Sequence, residues 1–188
     1  MMRSLAKNTS GVALIEFAMT LPFLVLLYLG GFQISDAISA YRKVTVATRT
    51  VADLTSQYTS VSKEDLDSIL NASQQVMAPY KVTNAKIIVS QIWINAGGKA
   101  RVDWSHGKGV DGLAKNSKYT LPSEVIQKKT YLIVASIEFD YTPVVAPKMI
   151  GSIKMRDDII MSPRASDSVE PKWDNGNGNG NGNDDDDD

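Results

Sequence analysis

A chain of 188 residues, 43% apolar and 22% charged, has room for one modest domain with appendages. It has no cysteine, which excludes disulfides and thiolate metal sites. The net charge of −1 hides a polar layout: residues 1–11 carry +2, residues 174–188 carry −6 and the remainder +3, with no basic patch dense enough for nucleic acid.

The first element is apolar. "GVALIEFAMTLPFLVLLYLGGFQ" spans residues 11–33, and Val12 to Phe32 holds one charge, Glu16, in 21 residues. A helix needs about 20 residues to cross a bilayer, so residues 12–33 are expected to be a transmembrane helix. Arg3 and Lys7 precede it with no acidic residue between. Positive-inside bias then keeps the N-terminus cytoplasmic and sends the body outward, although Arg42 and Lys43 on the far side weaken it. Pro22 and Gly30-Gly31 lie inside the run, where breakers are tolerated better than in water. Two blander readings also fit: a secretory signal ending near Ser35–Ala37, and a plain anchor with an incidental Glu16. The long apolar core and the acid that opens it count against a signal. An ionisable group costs about 2.5–3.5 kcal/mol at the membrane centre, and less near one end, where Glu16 lies.

Gly11, Glu16, Phe17, Ala18, Leu21 and Pro22, followed by a leucine-rich run and Gly30, carry a resemblance. The segment resembles the N-terminus of TadE-like proteins, the pseudopilins (minor pilins) of tight-adherence (Tad/Flp) pilus systems within the type IV pilin superfamily. The rest of the chain matches only in size and organisation, and its length leaves no room for the extra domain of TadG-like relatives. The resemblance implies a basic leader over residues 1–11 and prepilin-peptidase cleavage between Gly11 and Val12. Glu16 then becomes the fifth residue of the mature chain, with Phe17 in the aromatic position after it. It implies subunit assembly through Glu16, Phe17 and Pro22. It also implies the prepilin peptidase and other Tad pilins and pseudopilins as partners. The chain is then expected in the inner membrane with its C-terminal domain in the periplasm, or carried into an extracellular pilus. The chemistry agrees. Cleavage frees an amine on Val12, and an ammonium–carboxylate pair is penalised less in a low dielectric than a lone charge. Val12 lies about 6 Å of helical rise from Glu16, so the amine can come from the same chain under strain or from a shifted neighbour. A carboxylate in the first turns also complements the helix dipole.

Beyond Gln33 the pattern stays helical. Ile34, Ala37, Tyr41, Val44, Thr48, Val51, Leu54 and Tyr58 recur at three- and four-residue steps, predicting an amphipathic helix over residues 34–60. Either one helix runs from about Val12 to about Tyr58, or an anchor and a separate domain helix follow each other. A second helix opens at Ser62, with Asp65 in the capping-box position, and stops at Pro79. Strands are expected at 81–95, 100–106, 129–144 and 153–161, with a turn at 96–99 and a loop at 107–119. The expected class is α+β: the long N-terminal helix, the second helix and a small antiparallel sheet, with the soluble domain at residues 61–164. Trp93 and Trp104 flank the turn, and hairpin pairing is expected to bring them close. Residues 165–188 are expected to be a disordered Gly-Asn and Asp tail, a solubilising end before all else, with weak Ca²⁺ association or an assembly or secretion contact as its conceivable uses.

No constellation for catalysis emerges. His106 is the one histidine, too few for a histidine metal site. "GKGVDG" at 107–112 is not a phosphate loop. Glu138 and Asp140, and Asp157-Asp158, read as solvated strand charges. The sequence therefore points to a non-enzymatic pilus component with no cofactor, nucleic acid or small-molecule substrate. The other class it admits is a membrane-anchored or secreted periplasmic binding domain outside any filament.

Overall fold

The computed structural model describes residues 9–80, 82–145 and 147–173. Residues 1–8 of the expected leader, with Arg3 and Lys7, and the acidic run after Trp173 therefore lie outside the described residues.

One helix, α1, runs unbroken from Thr9 to Ser56, so the single-helix reading holds through Gly30-Gly31. Pro22 sits inside it and removes one backbone donor, the one that would meet the Ala18 carbonyl. Two residues earlier, the Thr20 hydroxyl donates to the carbonyls of Glu16 (3.0 Å) and Phe17 (3.1 Å). The helix ends four residues before β1 (Ser60–Val61), and α2 (Lys63–Val76) follows. The capping box is formed as read. The Ser62 hydroxyl accepts from the Asp65 amide, and the Asp65 carboxylate accepts from the Ser62 amide at 3.0 Å. These contacts satisfy donors that a helix start leaves orphaned.

The sheet consists of β2 (Lys86–Ile94), β3 (Ala100–Lys108), β4 (Thr130–Tyr141) and β5 (Ile153–Met161), all antiparallel, in the order β3-β2-β4-β5. A one-turn helix, α3 (Pro147–Ile150), precedes β5. The α+β class stands. β2 begins later than the sequence suggests, and β3 continues two residues further. Residues 165–173 correct the assignment of the tail to 165–188. β6 (Glu170–Pro171) pairs in parallel with β1, Val169 is buried and Trp173 packs on the core. Val169 and Trp173 bring enough apolar surface to fold this stretch, which the serines and charges around them obscure.

Both sheet faces are covered. α1 and α2 lie on one face, over Ile87, Val89, Ile133, Ala135, Ile137 and Phe139. On the other face Leu121, with Tyr119 and Val125, covers Ile92, Ile94, Val102, Leu132 and Val134. A bulge decides which side Trp104 takes. The register steps from Gln91↔Trp104 to Ile92↔Val102, leaving Asp103 as the extra residue. Strand side chains alternate, so if Asp103 were paired in regular register Trp104 would share the far face with Val102, two residues away. With Asp103 bulged out, Trp104 faces the helices, donates from Nε1 to the Val169 carbonyl at 2.8 Å and meets Trp173 edge-on at 5.9 Å. The expected Trp93–Trp104 pairing is thus corrected. Trp93 stands opposite Arg101 and stacks on Tyr131 at 4.5 Å.

The helical stripe needs correction too. Val44, Thr48 and Val51 are buried as read, but Ile34 (64% exposed) and Tyr41 (46% exposed) are not. The buried face of α1 is built from Ala40, Val44, Ala47, Thr48, Val51, Ala52 and Thr55. Small side chains let a helix approach a sheet closely, and the larger apolar residues of the same helix are left outside.

Candidate membrane and assembly site

Among the described residues, the lower half of α1 is exposed almost throughout. Its apolar stretch has a mean hydropathy of 2.2 with no residue buried. Phe23 is 72% exposed and Leu27 76%. Fully burying such a side chain is worth about 1.5–3 kcal/mol, so a continuous sleeve of them requires a lipid or protein environment. Val12 to Phe32 spans about 31 Å at 1.5 Å per residue, matching a hydrocarbon core of about 30 Å. The helix has the length and composition of a membrane anchor.

The residues singled out by the sequence all lie on this free part. Gly11, Val12, Glu16, Phe17 and Pro22 are exposed. Among the described residues the Glu16 carboxylate forms no ion pair with a side chain. A Cβ at Gly11, Gly30 or Gly31 would meet nothing within 4 Å, so packing inside this chain does not require glycine at these positions. Ile34 lies 18 residues above Glu16, about five turns at 3.6 residues per turn, so the two share a face. Ile38 and Tyr41 continue that face at helical spacing, both exposed.

Where the helix leaves its apolar run, a polar clamp fixes it to the head. Gln33 and Asp36 stand one turn apart on the side facing the sheet. Tyr141 donates to Asp36 Oδ2 at 2.5 Å and accepts from Gln33 Nε2 at 2.8 Å. Tyr80 donates to Asp36 Oδ1 at 2.9 Å, and the Val145 amide donates to Gln33 Oε1 at 2.9 Å. The two tyrosine rings meet edge-on at 6.0 Å. Burial, and then the Asp36 carboxylate, push both hydroxyls up to about 12. The sequence reading missed this clamp. Its one legible signal is that Gln33 and Asp36 are the first strongly polar residues after the apolar run, three apart and so on one face. Their partners lie 105 and 108 residues away along the chain for Tyr141.

The other chemical candidates have structural partners. His106 Nε2 lies 2.8 Å from Asp67 Oδ1 on α2, and Lys108 reaches Asn71 there. Glu138 pairs with Lys86 and Lys154, each at 3.3 Å, and these cations hold its carboxyl below the usual range. Arg156 grips Asp158 through two nitrogens, while Asp157 turns one oxygen into the interior without a hydrogen bond. In "GKGVDG", a Cβ at Gly107 would strike the Val110 carbonyl at 2.3 Å, and Gly109 has φ +73° over the Ala85 carbonyl. These glycines make a tight loop against β2. Among the described residues no group of three or more His, Asp or Glu is placed to hold a metal ion.

Residues 11–53 match the TadE family model, described as TadE-like protein. The N-terminal segment is TadE-like. The match begins at Gly11 and ends on α1 at Asp53, covering the anchor, the clamp residues Gln33 and Asp36, and most of the head-bound helix. No curated protein and no solved structure matches the chain. The likeness is confined to this N-terminal segment, which contains the helix long and apolar enough to cross a membrane.

Proposed function

We propose that this protein is a minor pilin of a Tad-type pilus, processed by a prepilin peptidase between Gly11 and Val12. The observation that carries this reading is Glu16 at its fixed distance from Gly11, on a fully exposed apolar helix inside the TadE-like segment. Cleavage frees the Val12 amine, and Glu16 then registers the subunit against another pilin-like subunit by pairing with an N-terminal amine. Phe17 and Pro22 shape the same contact surface. The head resides in the periplasm while the helix is in the inner membrane, and on the outside of a pilus once the helix is extracted. The work is association rather than turnover.

The exposed face from Glu16 through Ile34, Ile38 and Tyr41 supports this reading. A simple anchor needs apolar surface only within the bilayer, and this face continues about two turns above it. The test is the N-terminal residue of the membrane-extracted protein. Val12 is expected. A start at Met1 or Met2 leaves a plain anchor, and a start near Ala37 or Ile38 indicates a secretory signal. Either would overturn the proposal. Glu16→Ala is expected to abolish co-purification with the other pilins while leaving cleavage intact.

A further inference from the structure

The end of the head farthest from the anchor carries a cavity of about 480 Å³. Its position follows from the strand directions. β5 starts opposite Tyr141, at the clamp, and its chain continues to Arg164, which reaches Asp53 near the end of α1. Strands β2 and β3 therefore meet in the Asn95–Lys99 turn at the opposite end from the clamp. The cavity lies there, between that turn and residues 118–126. Its floor is apolar, made by the buried Leu121 with Tyr119 and Ile126, and its rim holds Lys99, Arg101 and Lys118. Among the described residues no carboxylate lines it. Arg101 is held in place by one bond from Nη1 to the Asn116 carbonyl at 2.8 Å, which leaves most of its donors for another group. The acids nearest to it are engaged elsewhere: Asp103 accepts from Gln91, Asp158, which acts on Tyr119, is gripped by Arg156, and Glu124 lies against the Ser123 hydroxyl in a short 3-10 turn.

We propose that this cavity is a receptor for an acidic peptide, and that its occupant is the chain's own run Asp184–Asp188. Charge complementarity is the first argument: three cations without a lining carboxylate face a run of five aspartates. Chain path is the second. Trp173 packs on Trp104 on the helix face of the edge strand β3, and from Trp104 to Arg101 is three residues, about 10 Å at 3.3 Å per residue, with the sheet edge to pass around to reach the cavity on the other face. Residues 174–183 separate Trp173 from the acidic run, and ten residues extend at most about 33–36 Å. The run can therefore reach the cavity of its own head. Docking neutralises a cluster of like charges and shields Leu121, Tyr119 and Ile126.

The absence of cysteine allows paired labelling of the full-length protein in detergent micelles. Spin labels are placed at Asn183→Cys and Ser123→Cys, and the distance distribution is read by pulsed dipolar spectroscopy. A short-distance population is expected at low salt and is lost in about 1 M salt, where the screening length falls to about 3 Å. It is also lost in the triple variant Lys99→Glu, Arg101→Glu, Lys118→Glu, and regained when all five aspartates are changed to lysine in that background. Should the triple variant not fold, changing the five aspartates to asparagine tests the contact without touching the head. The same broad distribution in the parent, the variants and high salt would overturn the proposal. So would a short distance seen only between separately labelled copies.

Discussion

The Tyr141 hydroxyl donates to Asp36 Oδ2 across 2.5 Å, joining the last residue of β4 to the first turn of α1 above its apolar run. The contact fixes where the anchor ends and the head begins. With Tyr80 and Gln33 it binds both α1 and the segment after α2 to one end of the sheet. Tyr141→Phe removes a hydrogen bond to a charged acceptor and leaves the Gln33 amide without its partner. Such bonds are worth about 1.5–3 kcal/mol, and that loss of stability is expected by denaturant titration of the detergent-solubilised protein. Tyr80→Phe is expected to cost less, because Tyr141 still holds Asp36.

The same tyrosines set an alkaline limit. Their folded values, about 12, lie above the ordinary 10.0, so folding favours the neutral hydroxyls. Their contribution is complete below pH 10 and is lost as pH rises through 12. Melting temperature is expected to fall across this window, and to fall less in the Tyr80→Phe, Tyr141→Phe double variant. An equal fall in both proteins would remove the clamp as the cause.

At the acid end, the capping box acts with the opposite sign. Its two hydrogen bonds from Ser62 hold Asp65 below its ordinary 3.8. A depressed folded value adds stability above pH 3.8 that disappears as pH falls through the folded value. Ser62→Ala is expected to cost about 1 kcal/mol at neutral pH, and less in acid, by the same denaturant titration.

The seating of α1 on the sheet depends on small residues. Ala47→Leu inserts three carbons where exposure is 0%. Overpacking of this kind costs about 1–3 kcal/mol, and more when a rigid sheet blocks relaxation. A change on the open side, Val46→Leu at a side chain 52% exposed, is expected to leave the melting temperature within a degree or two, since substitutions away from the core fall within about 0.5 kcal/mol. Equal effects at the two positions would show that the alanine face does not set the helix–sheet distance.

Deleting Asp103 is expected to be tolerated nearly as well as Asp103→Ala. Both remove the bond from Gln91 Nε2 at 2.7 Å. The deletion takes out the extra residue of the bulge, so Trp104 follows Val102 directly and alternation keeps it on the helix face, against Trp173 and Val169. The near-ultraviolet circular dichroism of the Trp104–Trp173 pair is expected to persist in both variants, and its loss on deletion would show that the bulge itself seats Trp104.

Much of this molecule is written locally. An apolar run near bilayer length, the Ser62–Asp65 box, the β-branched strands and Glu16 after Gly11 each depend on neighbours within a few residues, so periodicity and spacing reveal them. The face of α1 that would meet the sheet was misjudged because hydrophobicity ranks Ile34 and Tyr41 above Ala40 and Ala47. Only the close approach of a second layer makes small size count for more than apolarity. The bulge at Asp103 is invisible for a related reason, since an extra residue is defined only against its partner strand. The clamp joins Asp36 to tyrosines that no local pattern connects to it. The sequence by itself determined the anchor, the order of elements and the position of Glu16, through short-range chemistry. Tertiary structure alone decided which side of each element is inside, where the head grips the helix, and that residues 165–173 close the fold, because each depends on groups brought together across long stretches of chain.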